Sequence, residues 1–170
     1  MSVREFELFH GIALTKIMRS DRPVTLRMIE TNPDEAWAAY RINDEIVLYI
    51  KYRTVSRELR RNGGGLAWSF MFGTSELVPL RKISREMKTY AALVCGARNI
   101  NTKETPMHVC LLTPEDIEYC IDIDSSDTQT INVIFQPGKR LRAYGWKNKQ
   151  KDKRLIIPRG RLEQWHVPGS

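Results

Sequence analysis

The sequence predicts a single α+β domain in which helices flank a mixed β-sheet. The chain has 170 residues, which is the usual size of one soluble domain. Apolar residues recur at helical spacing in some segments, whereas other segments alternate apolar and polar residues or form the short apolar runs of strands. No repeat and no long linker divides the chain. We expect residues 1–138 to form the core, followed by a basic hairpin strand, loop and closing segment at 139–170.

The first predicted element is an amphipathic helix over residues 3–19. Its apolar side chains lie at helical spacing: Phe6, Phe9, Ala13 and Ile17. Three strands are predicted after it, over residues 24–29, 36–42 and 46–52. The first of them alternates apolar and polar residues, so we expect it to be half-buried. The third is apolar on both faces, so we expect it at the centre of the sheet, joined to the second by a tight hairpin at Asn43 and Asp44.

The second half of the chain continues the alternation of strands and helices. Residues 53–65 predict a polar loop or short helix that ends in a glycine hairpin turn. Thr74 or Ser75 is the expected cap of a helix that runs to about Lys88. Thr113 caps a shorter helix that ends around Cys120. The other predicted strands span 66–72, 90–95, 107–112, 130–135 and 139–144, and the last two form a second hairpin.

The charge is strongly basic and unevenly distributed. The formal net charge is +7 and the isoelectric point is near 9.5. Residues 139–161 alone carry +9, with ten Lys or Arg and one acid, whereas residues 114–127 carry −6 with no base. A second basic segment lies at residues 51–61. Fixed positive charge attracts polyphosphate, so these two basic segments indicate a nucleic-acid partner.

The first functional hypothesis is therefore a non-catalytic module that contacts phosphates of DNA or RNA through these basic segments, with aromatic rings nearby to meet bases. The residues expected at this interface are Lys51, Arg53, Arg57, Arg60, Arg61, Lys139, Arg140, Arg142, Trp146, Lys147, Lys149, Lys151, Lys153 and Arg154.

A second hypothesis comes from the order of predicted elements over residues 3 to 95 and from two short motifs. Pro33 and Asp34 are followed, after a hairpin, by Tyr49-Ile50-Lys51. This pattern resembles the core of the PD-(D/E)XK nucleases. The resemblance implies a restriction-endonuclease-like fold, Asp34 and Lys51 as catalytic residues, and Mg²⁺ as the cofactor. Tyr49 stands where the family has its second metal-binding acid.

A neighbouring carboxylate would have to replace the acid that Tyr49 displaces. The candidates are Glu30, Glu35, Asp44 and Glu45. We expect a metal site, if the nuclease alternative holds, to use Asp34 and Glu45. Without that alternative the sequence predicts no cofactor.

A third hypothesis is a self-associating subunit, or homo-oligomer, in which the acidic and basic tracts pair between chains. The sequence has no apolar run long enough for a membrane span, and early charges at Arg4, Glu5 and Glu7 argue against a secretory signal. Three cysteines in apolar surroundings are typical of buried thiols in a reducing compartment. We therefore expect a cytoplasmic protein.

Overall fold

Two five-stranded β-sheets and their flanking helices form the framework of the computed structural model, which describes residues 4–17, 23–61, 63–97, 107–158 and 160–165. The α+β class is confirmed. The elements in chain order are α1 Glu5–Ile17, β1 Leu26–Asn32, β2 Trp37–Ile42, β3 Ile46–Arg53, β4 Arg57–Glu58, β5 Leu66–Phe72, α2 Thr74–Glu86, β6 Lys88–Cys95, β7 His108–Leu112, α3 Pro114–Cys120, β8 Gln129–Phe135, β9 Arg142–Tyr144, a 3-10 turn Lys151–Lys153, β10 Leu155–Ile156 and α4 Arg161–Gln164. The ends of the predicted first helix, at residues 3, 18 and 19, lie outside the described residues.

The first sheet has the strand order β1-β2-β3-β6-β7 and is mixed. Strands β1, β2 and β3 form an antiparallel meander, and β6 runs parallel to β3. The predicted hairpin between β2 and β3 is confirmed, because Asn43 and Asp44 both take the left-handed conformation, with φ of 51° and 54°. Strand β3 is central and buried from Ile46 to Lys51, as its two apolar faces predict.

The prediction that the first strand is half-buried is wrong. Residues 26–31 of β1 are exposed, including Leu26, Met28 and Ile29. Strand β1 is the edge of the first sheet, and a bulge at Ile29 interrupts its register with β2. The alternating sequence therefore correctly predicts a strand. It does not predict burial, because β1 lies at the edge of the sheet and neither of its faces is covered.

The second sheet has the strand order β10-β9-β8-β5-β4. Strand β4 lies within the segment predicted as a loop or short helix, and it pairs with β5 across the glycine turn. The Leu59 amide donates to the Gly65 carbonyl at 2.9 Å to close this hairpin. Gly65 has φ of +124°, and a Cβ there would lie 2.2 Å from the Phe135 carbonyl oxygen. Only glycine permits that close approach of two backbones.

Two apolar cores hold the sheets and helices together. The larger core contains Trp68, Phe70 and Phe72 of β5, together with side chains of β3, β6, α2 and α3. The smaller core packs α1 and α4 against the other face of the first sheet, around Phe9 and Leu162. The C-terminal segment contributes to both cores, because Ala143 and Ile157 belong to the first and Leu162 to the second.

One of the two predicted helix caps is confirmed and the other is wrong. Helix α3 has the expected N-cap, since the Thr113 hydroxyl and the Asp116 carboxylate form a reciprocal capping box. Helix α2 instead has Gly73 as its N-cap, with no side-chain cap. Ser75 was expected as a cap but donates its hydroxyl hydrogen bond to the Glu35 carboxylate.

None of the helices in the described ranges combines the length and apolar character that a membrane span requires. Cys95, Cys110 and Cys120 are free and buried. Burial raises the pKa of the Cys110 thiol to about 12 and that of Cys120 to about 11, so both thiols are protonated at neutral pH.

Candidate nucleic-acid interface

A basic groove of about 750 Å³ lies on the second sheet, where the two basic segments of the sequence meet. The β4–β5 hairpin contributes Arg57, Arg60 and Arg61 to one side. The C-terminal segment contributes Lys139, Arg142, Lys151 and Arg154 to the other. Glu58 is the one acid among the described residues that line it. We call this feature the basic groove.

The cations of the basic groove keep their charge available for a ligand. Across the described part of the chain, no ion pair involves any of these seven side chains. Arg154 is held in place by two contacts, since its Nε donates to the Lys149 carbonyl at 3.2 Å and its guanidinium stacks 4.1 Å from the Tyr144 ring centroid. The groove is therefore a region of concentrated positive potential on a fixed scaffold.

Half of the residues predicted for the interface lie outside the basic groove. Lys147 donates from Nζ to the Glu118 carbonyl. The Trp146 ring is exposed, and its indole N–H donates to Gln129 Oε1 at 2.6 Å. Arg140 lines a different cleft. The predicted residues that do not line the groove are Lys51, Arg53, Arg140, Trp146, Lys147, Lys149 and Lys153.

Lys51 was predicted to contact phosphate, but the structure buries it. Its side chain points away from solvent on β3 with 7% of the residue exposed. The Nζ donates to both carboxylate oxygens of Glu76 on α2, at 2.8 and 2.7 Å, and lies 3.4 Å from the Glu35 carbonyl oxygen. Because the ammonium already donates to these oxygen atoms, it has no donor directed at an external phosphate.

The Lys51–Glu76 pair lies in surroundings that oppose either charge alone. Glu76 is 2% exposed, and burial raises the pKa of its carboxyl above the ordinary value because desolvation penalises the carboxylate. Burial likewise lowers the pKa of the Lys51 ammonium below the ordinary value. In both groups the dominant cause is desolvation, which penalises the charged form. The opposite charge of the partner, 2.7 Å away, is the interaction that offsets this cost for each group.

This pair lines a cleft of about 350 Å³ that also includes Asp34, Glu35 and Arg53. Asp34 is exposed in the turn before β2. The Glu35 carboxylate accepts hydrogen bonds from Trp37 Nε1 at 3.1 Å and from the Ser75 hydroxyl at 2.9 Å. These two hydrogen bonds lower the pKa of Glu35. Three carboxylates and a lysine thus share one cleft, which we call the acid–lysine cleft.

The structure does not bring Glu45 to this cleft, contrary to the metal site predicted from Asp34 and Glu45. Glu45 precedes β3, and Lys51 lies six residues further along that strand, which corresponds to about 20 Å. Tyr49 is buried and its hydroxyl has no hydrogen-bond partner in the described ranges. The sequence did not identify Glu76, which comes from α2 rather than from a neighbouring strand.

A signal for Glu76 was present in the sequence. Glu76, Leu80 and Ile83 follow one another at helical spacing, so the carboxylate lies on the apolar stripe of α2. A charged residue on such a stripe must find a buried partner, because an isolated buried charge is very costly.

The acidic tract finds partners within the chain. Asp116 forms an ion pair with Arg161, and Asp124 pairs with Arg81 and Arg85 at 3.3 and 2.9 Å. The predicted self-association through the acidic tract stays a prediction.

Comparison of the chain with protein-family models, with curated proteins and with solved structures found no match. The indications of function are therefore those of the groove and the cleft themselves.

Proposed function

We propose that this protein binds nucleic acid through the basic groove, without catalysis. The observation that supports this proposal is the convergence of two sequence-distant basic segments on one concave surface with seven cations and one acid. A scattered basic charge would explain the isoelectric point without producing such a surface.

Phosphate is the ligand chemistry that this composition fits. Five of the seven cations are arginines, whose planar guanidinium can donate two parallel hydrogen bonds to one phosphate. A nucleic-acid backbone supplies phosphates at short, regular intervals, so several of these side chains can be neutralised at once. The absence of ion pairs to these seven cations in the described ranges means that no protein carboxylate has to be displaced first.

The test compares two triple variants that lose the same charge. The groove variant combines Arg57→Gln, Arg142→Gln and Lys151→Gln, which takes cations from both sides of the groove. The control combines three bases outside it, as Arg27→Gln, Lys82→Gln and Lys88→Gln. Fluorescence anisotropy with labelled DNA and RNA oligonucleotides, over a series of salt concentrations, measures the affinity.

We expect the groove variant to bind about tenfold or more weakly and to lower the slope of log affinity against log salt by about 0.7 to 0.9 for each phosphate that is no longer neutralised. The control should keep most of the affinity. Absence of binding to DNA and RNA at low salt would show the proposal to be wrong. Equal weakening of the two variants would assign the binding to net charge rather than to the groove.

A second candidate function is a metal-dependent nuclease that uses the acid–lysine cleft. The observation in its favour is that Asp34, Glu76 and Lys51 line one cleft, so α2 supplies the carboxylate that Tyr49 fails to supply from the strand. The present arrangement does not fit a divalent cation, because Lys51 engages both oxygens of Glu76. The described residues also contain no group of three or more possible ligands at metal-binding distances. We derive no catalytic step from it.

The nuclease candidate has its own assay. Plasmid DNA is incubated with the protein and Mg²⁺ or Mn²⁺, and the same reaction is run with Asp34→Asn and Lys51→Ala. Metal-dependent cleavage that both substitutions abolish would support this candidate over the binding module. Cleavage that survives both substitutions would rule out the acid–lysine cleft as its source.

A cytoplasmic location is part of the first proposal. Its support is chemical, since three buried free thiols are compatible with a reducing compartment.

A further inference from the structure

The outer face of the second sheet is uncovered by any helix in the described ranges. The residues Trp68, Phe70 and Phe72 of β5 point into the larger core, so the alternate residues Ser69 and Met71 point outward. The buried apolar side chains of the described helices belong either to the larger core, on the inner face of this sheet, or to the smaller core, on the far face of the first sheet. Met71 is accordingly 59% exposed.

The register of the strands places a set of outward side chains beside one another. Ser69 is opposite Asn132, Met71 is opposite Thr130, and Asn132 is in turn opposite Tyr144 on β9. These five residues define a surface that we call the open face. Apart from the exposed Met71 they are half-buried, so the open face is a shallow surface rather than a pocket.

The chemistry of the open face suits a nucleobase. The Ser69 hydroxyl donates to Asn132 Oδ1 at 2.6 Å, which orients the carboxamide and leaves its NH₂ group as a donor. Tyr144 supplies an aromatic ring, and Met71 a polarisable apolar side chain. A base can stack on the last two and form hydrogen bonds with the polar groups between them.

The open face is continuous with the basic groove. Ile134, which lines the groove, is on the same strand as Asn132 and two residues away, so both side chains point outward. Arg142 and Tyr144 have the same relation on β9. Arg154 joins the two surfaces directly, because it lines the groove and stacks on the Tyr144 ring.

We propose that the ligand of the basic groove is a single-stranded nucleic acid whose phosphates lie in the groove and whose bases lie on the open face. This inference rests on the proposed function. A single strand can turn unpaired bases onto a sheet surface, whereas a duplex keeps its bases stacked inside and offers only their edges in the grooves. A shallow sheet surface has no protruding element to reach those edges.

The experiment uses the full chain with single-stranded DNA, single-stranded RNA and a duplex of the same sequence. Met71→Glu places a carboxylate on the open face, and Val78→Glu makes the same change on α2 at the same exposure of 59%. Neither side chain is buried, so both variants should fold. A second pair is Tyr144→Leu and Tyr144→Phe, with Tyr119→Leu on the exposed side of α3 as the control.

We expect single strands to bind at least about tenfold more tightly than the duplex. Met71→Glu and Tyr144→Leu should each weaken single-strand binding about tenfold, which is the range for removing the stacking of one base. Tyr144→Phe, Val78→Glu and Tyr119→Leu should change it little. The salt slope of Tyr144→Leu should equal that of the unmodified protein, since the groove still neutralises the same phosphates.

The outcomes separate this inference from the proposed function. If neither single strands nor duplex bind, the basic groove itself is wrongly assigned. If duplex binds as tightly as single strands, or if Met71→Glu and Tyr144→Leu behave as their controls, the groove can stand while the open face is overturned as the base-binding surface. A preference between the DNA and RNA strands would identify which sugar the site reads.

Discussion

The buried pair of Lys51 and Glu76 gives a sharp prediction about stability. In Glu76→Gln the Lys51 ammonium loses its partner at a position that is 7% exposed. The lysine can lose its proton and be buried as a neutral amine. The free energy of that deprotonation is therefore the upper limit of the stability that the variant loses. Deprotonating a lysine of ordinary pKa 10.5 at pH 7 requires about 5 kcal/mol. We therefore expect Glu76→Gln to lower the free energy of unfolding by about 3 to 5 kcal/mol.

The complementary variant Lys51→Met leaves the Glu76 carboxylate without its partner. This group can escape by taking up a proton, and its ordinary pKa of 4.5 limits the cost at pH 7 to about 3 kcal/mol. The two single variants should therefore differ, with the glutamate substitution the more destabilising. The double variant Lys51→Met with Glu76→Leu removes both charges and should return to within about 1 kcal/mol of the unmodified protein, or exceed it.

The two single variants should also depend on pH in opposite directions. With a neutral lysine, folded Glu76→Gln binds fewer protons than the unfolded chain, so its stability loss shrinks by about 1.4 kcal/mol per unit as pH rises from 7 toward 10.5. With a protonated Glu76, folded Lys51→Met binds more protons than the unfolded chain, so its loss shrinks as pH falls from 7 toward 4.5. Urea unfolding at several pH values, with the unmodified protein as reference, measures both trends.

The exposed pair of Arg41 and Asp44 is the control. Its atoms are 3.8 Å apart, and the side chains are 34% and 75% exposed. Asp44→Asn preserves the left-handed turn residue and should change stability by less than about 0.5 kcal/mol. A cost of Glu76→Gln no greater than that of this control would refute the expectation, and so would a cost that is the same at about pH 7 and about pH 9.

Three further predictions concern the rest of the fold. Burial lowers the pKa of His10 to about 4, so the unfolded chain takes up a proton more readily than the folded chain, and the free energy of unfolding falls by about 2 kcal/mol between pH 7 and pH 4.5. In His10→Phe the free energy of unfolding, measured with urea, should fall less over this pH range. An unchanged pH dependence would contradict this. Gly145→Ala should cost more than about 2 kcal/mol in thermal unfolding because its Cβ would lie 2.0 Å from the Cys120 carbonyl oxygen, whereas Gly11→Ala has nothing within 4 Å of its new Cβ and should not destabilise the protein. Thr113→Ala removes the capping box of α3 and should cost about 1 kcal/mol by the same measurement.

The parts of the fold that the sequence predicted are those determined by neighbouring residues. The hairpin at Asn43 and Asp44 depends on two residues that tolerate positive φ between apolar strands. The capping box of α3 depends on Thr113 and on Asp116 three positions later. In each case the side chains that decide the conformation are also close in the chain, so the pattern can be read without the tertiary structure.

The parts that the sequence did not predict depend on what covers a segment. Strand β1 has an alternating sequence, yet it is exposed because the first sheet ends there. Lys51 and Glu76 lie 25 residues apart, and their pairing follows from the packing of α2 on the sheet. Strand β4 is two residues long and exists only because β5 supplies its hydrogen bonds. Which distant segments pair, and which surfaces they bury, depends on tertiary contacts that no local sequence pattern specifies.

The two candidate sites occupy opposite ends of strand β5, and this arrangement connects them. Ala67 is paired with Ile134 of the basic groove, whereas Met71 lines the acid–lysine cleft four residues later, about 13 Å along the strand. A nucleic acid held by the groove and lying along the open face would therefore extend toward Lys51 and Glu76. Apolar side chains can replace a buried ion pair with little loss of stability, so the double variant Lys51→Met with Glu76→Leu should fold. This variant therefore distinguishes a binding module from a nuclease. A module that only binds should keep its affinity in this variant, whereas a nuclease should keep its affinity and lose cleavage.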